Sequence, residues 1–313
     1  MVMINETNNK HFSAADPVGY LYELEEIKSI VPRVLEEITR FANNDGKIPG
    51  LSTGIPDLDR VIMKLRKMDL VIIGSRPGMG KTSFALSIAL NVVTTTNKTV
   101  ALFLLKNSRE QLILSAIAAE SFIARGKLKT GNMEPEEWRL LADTVTALSN
   151  MNFWINDNAS ITTSDIAEQC KRISNLGLII VDDIHLMQPG EIDREFAQYE
   201  KKGYSEEISY MMKMIAKELS VPVICLSKIS TACLERDNKH PLLSDFREFG
   251  AIDKFADIVI GIHRDYYYSM DPIMENFAQC IILRNRRGDT GLVTLQWLPE
   301  YARFLPLDRY HSD

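Results

Sequence analysis

The stretch SRPGMGKT, Ser75 to Thr82, lies between an apolar run and a helical one. Small residues there let the backbone wrap a phosphate, while the first N–H groups of the next helix and the positive end of its dipole face the anion. In a phosphate-binding loop of this kind Lys81 contacts the β and γ phosphates of ATP and the Thr82 hydroxyl ligates Mg²⁺. The candidate nucleotide-binding residues are Ser75, Arg76, Pro77, Gly78, Met79, Gly80, Lys81, Thr82 and Ser83. Ser75 stands where the strict pattern has its first glycine, with Gly74 beside it, and after GMG no third glycine follows at the spacing of a dinucleotide fold. A second feature is LIIVDD, Leu178 to Asp183, four apolar residues closing on two carboxylates. On a buried parallel strand the first acid emerges at the C-terminal edge, where such sheets bind ligands. Asp182 is therefore expected to hold Mg²⁺ through water, as the metal-site partner of Thr82.

Three further stretches carry cations. VALFLLKNSRE ends an apolar run in Lys106, although a strand next to a phosphate loop commonly carries a carboxylate there. VPVICLSK brings Ser227 and Lys228 to the end of another such run. RNRRG gathers Arg284, Arg286 and Arg287 beside a glycine, which on charge alone reads as a solvated hairpin tip.

The elements that must position these residues are short β-rich runs alternating with helical stretches, from DLVIIGS to GLVTLQWL. The alternation predicts an α/β fold: a mostly parallel central sheet with helices on both faces and antiparallel strands at the C-terminal end. Residues 1–16 read as a disordered tail and 17–44 as a helix, with Leu21, Leu24, Ile27, Val31, Leu35, Ile38 and Phe41 on one sticky face and a kink or restart at Pro32. That face suits packing on its own domain or docking on a neighbouring subunit. Residues 43–59, rich in Gly, Pro, Asn and Asp, read as a linker before the main domain, which is assigned to 45–313.

With a net charge of −6, 45% hydrophobic and 25% charged residues, the chain is globular, and no global basic field points to nucleic acid. The four cysteines form no CxxC pair, and with the five histidines they show no zinc-ligand spacing. The N-terminus is polar where a signal peptide is apolar, and no apolar run reaches the roughly 18 residues of a bilayer span. A cytoplasmic location with reduced thiols and no membrane partner is expected.

From GIPDLD to PEYARF, residues 54 to 304, the chain resembles the C-terminal ATPase domain of the DnaB-type replicative helicases, ring-shaped hexamers with a RecA-like fold. The matching pieces occur in family order: SRPGMGKTSFALSIA, SREQL, LGLIIVDDIHLM, EISYMMKMIAKELSVPVICLS, PLLSDFREFGAIDKFADIVIGIHRDYYY and RNRRGDTGLVTLQWLPEYARF. The resemblance implies that Lys81 and Thr82 bind MgATP. It implies that Arg284 and Arg286 are finger cations reaching a neighbouring subunit's ATP, which displaces the hairpin-tip reading. SDFREFGAIDK resembles a channel loop that meets single-stranded DNA, so Arg247, Glu248, Gly250 and Lys254 are candidate backbone contacts with little sequence preference. Residues 17–42 take the place of a linker helix that packs on the adjacent subunit. The separate N-terminal domain that usually precedes it is missing, so the chain reads as a short form or a fragment, with Met1 leaning toward a complete product.

Four positions depart from the family pattern. Lys106 stands where a glutamate positions the attacking water, Lys228 where a sensor glutamine is usual, and Thr231 where an arginine follows the sensor strand; KLRKMDL replaces a Pro-Gly turn. Loss of a general base typically costs on the order of 10² to 10⁴ in rate. Three roles are open to Lys106: a third cation at the γ-phosphate with hydrolysis nearly lost, a bystander while Asp183 serves as base, or a side chain that points to solvent and pairs with a nearby acid. The implied function is correspondingly double. One form is a hexameric ATP-driven motor of 5′–3′ type on single-stranded DNA, working with a loader or primase. The other is a hydrolysis-impaired ATP-binding paralogue that joins or regulates a helicase, in its own ring or a mixed one. A RecA-type recombinase or circadian-type ATPase shares the fold and loop, but the pairing of SDFREFGAIDKFADIV with RNRRGDTG points away from it.

Overall fold

The computed structural model describes residues 24–42, 49–188, 201–248 and 250–307. The tail expected over 1–16 lies outside them, as do residues 17–23, 43 and 44 of the expected linker helix. The described helix α1 runs Ile27–Ala42 and continues past Pro32. A proline inside a helix removes one backbone hydrogen bond, and the turns beyond it can resume the ladder. Ile27, Val31, Leu35 and Ile38 on α1 are exposed, so this stripe is not part of the domain core.

The loop expected over 43–59 ends early, because Pro56–Ile62 forms α2. Pro56 opens that helix, where its fixed φ suits the first turn and its missing N–H costs nothing. The residue that reads as a breaker is thus the helix start. Asp59, 7% exposed, accepts from Thr53 N at 2.8 Å and from Thr53 Oγ1 at 2.7 Å, tying the loop to α2.

Among the described residues one nine-stranded sheet runs in the order β3-β2-β4-β5-β1-β6-β7-β8-β9. Strands β1 (Leu70–Ser75), β2 (Thr99–Leu104), β3 (Phe153–Asn156), β4 (Leu176–Asp182), β5 (Val223–Lys228) and β6 (Ile258–His263) are parallel. Strands β7 (Phe277–Asn285), β8 (Gly291–Leu298) and β9 (Arg303–Pro306) continue it antiparallel. RFLP at β9 is too short for an alternation signal, and pairing with β8 decides its state. The long connections are helical: α3 (Lys81–Thr95), α4 (Arg109–Ser121), α5 (Arg125–Thr130), α6 (Pro135–Ser149), α7 (Thr163–Lys171) and α8 (Lys201–Leu219), with a single turn α9 (Tyr266–Ser269) after β6. Local chemistry sets their starts. Ser108 caps α4 by accepting from Gln111 N at 3.3 Å, and Thr162 with Asp165 closes a capping box on α7.

Every residue of β1, β2 and β6 is buried, as parallel strands covered on both faces require. Alternate side chains feed two cores. Val71, Ile73, Leu178 and Ile180 pack with Phe84 of α3 and with Trp297 and Phe304 of the antiparallel end. Leu70, Ile72, Ile179 and Val181 pack with Ile166 of α7, Met212 of α8 and Phe246. Each such fully buried side chain contributes about 2 kcal/mol. No helix among the described residues is long and apolar enough to cross a membrane.

Candidate nucleotide-binding site

Parallel strands all deliver their C-terminal ends to one edge, so β1, β2, β4 and β5 bring Ser75, Lys106, Asp182 and Lys228 together. These residues line a cavity of about 160 Å³ with Arg76, Pro77, Gly78, Gly80, Lys81, Thr82, Asn107 and Asp183. Lys228 is the register partner of Ser75, and Leu104 of Asp182. The loop itself needs glycine at two places: Gly78 has φ +83° and Gly80 has φ +93°, left-handed values that other residues adopt only with strain. Gly80 caps α3, so the first N–H groups of a 15-residue helix open toward the cavity.

The charged centre is tight. Thr82 Oγ1 donates to Asp182 Oδ2 at 2.6 Å, and Lys81 Nζ lies 3.4 Å from Asp183 Oδ2 and 3.7 Å from Asp182 Oδ1. Both carboxylates are buried, at 3% and 1% exposure. A hydroxyl beside a carboxylate is the hard-oxygen donor set that Mg²⁺ takes, and Lys81 supplies the cation for a phosphate chain. The cradle and its donors therefore fit MgATP, with Thr82 and Asp182 as the pair that would hold the metal. Bound there, the ion neutralises phosphate charge. Lys106 is exposed at the rim, and no acid pairs with it among the described residues.

Two of the expected nucleotide residues sit differently. Met79 is 1% exposed with its side chain in the interior, so only its backbone can serve a ligand. Ser83 faces an adjoining cavity shared with Thr82, Asn107, Gln111, Arg125 and Lys129.

Several supporting residues escape sequence reasoning. A Cβ on Gly80 would come within 2.9 Å of the Phe304 ring, and one on Gly78 within 3.0 Å of Tyr267, so aromatic side chains floor the loop. Arg264 donates to Gly78 O at 3.3 Å while lying 4.9 Å from the Trp297 ring centre. His185 stands behind the acids. Its backbone N donates to Asp183 Oδ1 at 3.2 Å, and its Nε2 is 2.8 Å from Ser227 Oγ. Burial pushes the His185 imidazole below its usual range, against the upward pull of Asp183. Only the position of such residues within long shared motifs could have flagged them.

The remaining candidates lie elsewhere. Val259 at the start of β6 pairs with Arg284, placing that arginine at the opposite edge of the sheet. Arg286 lies 3.7 Å from Asp257 Oδ1, and Asp257 Oδ2 accepts from Leu70 N, so about 16 Å of β1 separates it from the phosphate loop. Arg247 and Arg284 both bind Asp253. Glu248 is exposed, Gly250 has φ +114°, and Lys254 pairs with Glu206 at 2.5 Å.

Residues 50–306 match the family model of the DnaB-like helicase C terminal domain. The chain belongs to that family. It is 41% identical over 286 residues to the replicative DNA helicase DnaB of Geobacillus stearothermophilus, covering 90% of this chain and 62% of that relative. It is 38% identical over 292 residues to the replicative DNA helicase DnaC of Bacillus subtilis, covering 92% and 63%. The chain thus spans somewhat under two thirds of the length of these relatives. Among solved structures, one described as an ATPase domain superposes with a TM-score of 0.84 at 30% identity, covering 91% of this chain and all of that one. A DnaB-like replicative helicase, described with its interactions with primase, superposes with a TM-score of 0.81, also at 30% identity, covering 91% and 68%. The mostly parallel sheet with its antiparallel end is thereby the RecA-like ATPase fold of the DnaB-like domain, and nucleotide binding is its shared property.

Proposed function

We propose that this chain is the ATPase domain of a DnaB-like replicative helicase, binding MgATP and encircling single-stranded DNA as a hexameric ring. One observation carries the reading: Lys81, Thr82, Asp182 and Asp183 occupy one edge of the sheet and Arg284 and Arg286 the other. Those arginines cannot reach their own nucleotide, so as fingers they complete the site of a second copy. A finger arginine is worth on the order of 10³ to 10⁵ in rate, which makes turnover depend on assembly. Residues 17–44 serve as the linker helix that docks on the next subunit, with the ATPase domain over 45–313. Arg247, Glu248, Gly250 and Lys254 meet the DNA backbone in the channel, and a primase or loader is the partner class.

The position of Lys106 favours a second reading of the same site, an ATP-holding subunit with impaired hydrolysis. A lysine at the rim does not supply the carboxylate that accepts a proton from the attacking water. Asp183, beside Lys81, is the carboxylate available as a substitute base. ATP hydrolysis with and without single-stranded DNA, for this chain and for Lys106→Glu, separates the two. DNA-stimulated turnover in the parent supports a working motor, whereas turnover appearing only in Lys106→Glu, by about 10² or more, identifies the holding subunit. Absence of nucleotide binding in both would overturn the site.

A further inference from the structure

The end of β6 carries a second cluster of donor atoms, apart from the phosphate loop and from the loop assigned to DNA. His263, the last residue of β6, is buried, and its Nε2 lies 3.0 Å from Asp265 Oδ1. Half-buried His240 arrives from the segment before Pro241, its ring centre 4.7 Å from that of His263. One nitrogen from each imidazole and one carboxylate oxygen all fall within 4.8 Å of one another. Two imidazoles and a carboxylate are a donor set for zinc-class dications. Ligands at zinc distances around a tetrahedral ion stand about 3.3 Å apart. The edge between His263 and Asp265 is already close to that value, so any adjustment falls on His240.

The surroundings of the cluster point the same way. Gln279 is the antiparallel register partner of His263, and its Nε2 donates to Asp265 Oδ2 at 3.2 Å, orienting the carboxylate as outer partners of metal ligands do. Gln279 Oε1 is buried with no hydrogen-bond partner among the described residues. A buried amide oxygen without a donor is unfavourable, and water on a bound ion is a donor of the right kind. Lys239, next to His240, has its ammonium engaged by the Leu234 and Arg236 carbonyls at 3.0 Å each.

We propose that His240, His263 and Asp265 form a three-ligand site for a divalent transition-metal ion of the zinc class, completed by water. The ion pins the segment around His240 to the end of β6. Arg264, between two of the ligands, holds the Gly78 carbonyl, so the ion sits behind a support of the phosphate loop.

The test uses the whole chain, stripped of metal by a chelator and titrated with Zn²⁺ alone in competition with a chromophoric chelator. The parent is expected to bind a single equivalent and to melt at a higher temperature with it. His240→Ala, at a half-buried position, is expected to fold and to weaken binding by about 100-fold or more, and Gln279→Ala by about 10-fold. Asp182→Asn, which alters the phosphate-loop site, is expected to leave zinc affinity unchanged. Bound Co²⁺ is expected to show four-coordinate d–d bands in the parent and not in His240→Ala. No stoichiometric zinc in the parent, unchanged affinity in a folded His240→Ala, or loss of zinc in Asp182→Asn would overturn the site.

Discussion

Arg247 and Arg284 close on the same buried carboxylate. Asp253, with its side chain 1% exposed, pairs with Arg247 Nη2 at 2.9 Å and with Arg284 Nη2 at 3.2 Å. Arg284 also donates to the Asp253 carbonyl. The arginine assigned to DNA and the arginine assigned to a neighbour's nucleotide are therefore held by one residue.

Replacing that carboxylate removes charge-assisted bonds to both side chains at once. Arg247 is half-exposed and regains water, so the cost falls mainly on Arg284. Asp253→Asn is expected to lower unfolding stability by about 2 kcal/mol, read from urea midpoints, while binding of a fluorescent ATP analogue stays within twofold. A large loss of nucleotide binding would mean that the two edges of the sheet are not independent.

Arg247→Ala tests the assignment to DNA. Loss of one phosphate contact is expected to weaken single-stranded DNA binding evenly across sequences and to reduce the slope of log K against log salt by about 0.7. Fluorescence anisotropy at several salt concentrations reads both, and an unchanged slope removes Arg247 from the contact set.

Mixing tests the fingers. Lys81→Ala subunits lack the phosphate cation but keep Arg286, and Arg286→Ala subunits have the reverse defect. For Lys106→Glu background chains, or for the parent where it turns over, each variant alone is expected to be nearly inactive and the mixture to recover part of the ATPase rate. No recovery in rings shown to be mixed would remove the trans role.

His185 makes stability depend on pH. Its folded pKa lies below the ordinary value of 6.5 because burial opposes the charge. The unfolded chain therefore takes up the proton first as pH falls, so the contribution is complete above about 6.5 and is lost below it. His185→Gln is expected to show a shallower fall in melting temperature than the parent between pH 7 and pH 5. Parallel curves would mean that the imidazole titrates normally.

Local pattern was enough for the strand, loop and helix around Lys81, for the acids ending β4, and for the alternation that names the sheet. Those signals are short-range, because a phosphate loop and a buried parallel strand each need particular residue types in consecutive positions. Pro56 misled as a breaker and β9 went unseen, since position within a helix and pairing with a neighbour are not written in so short a stretch. Sequence spacing likewise showed no zinc pattern among the histidines. Only the sheet places His263 opposite Gln279 and folds His240 back over it, sets Arg264 and Phe304 under the phosphate loop, and carries Arg284 to the far edge from Lys81. Strand order, register and antiparallel return are global choices made by burying two apolar faces at once, and they decide which distant side chains meet.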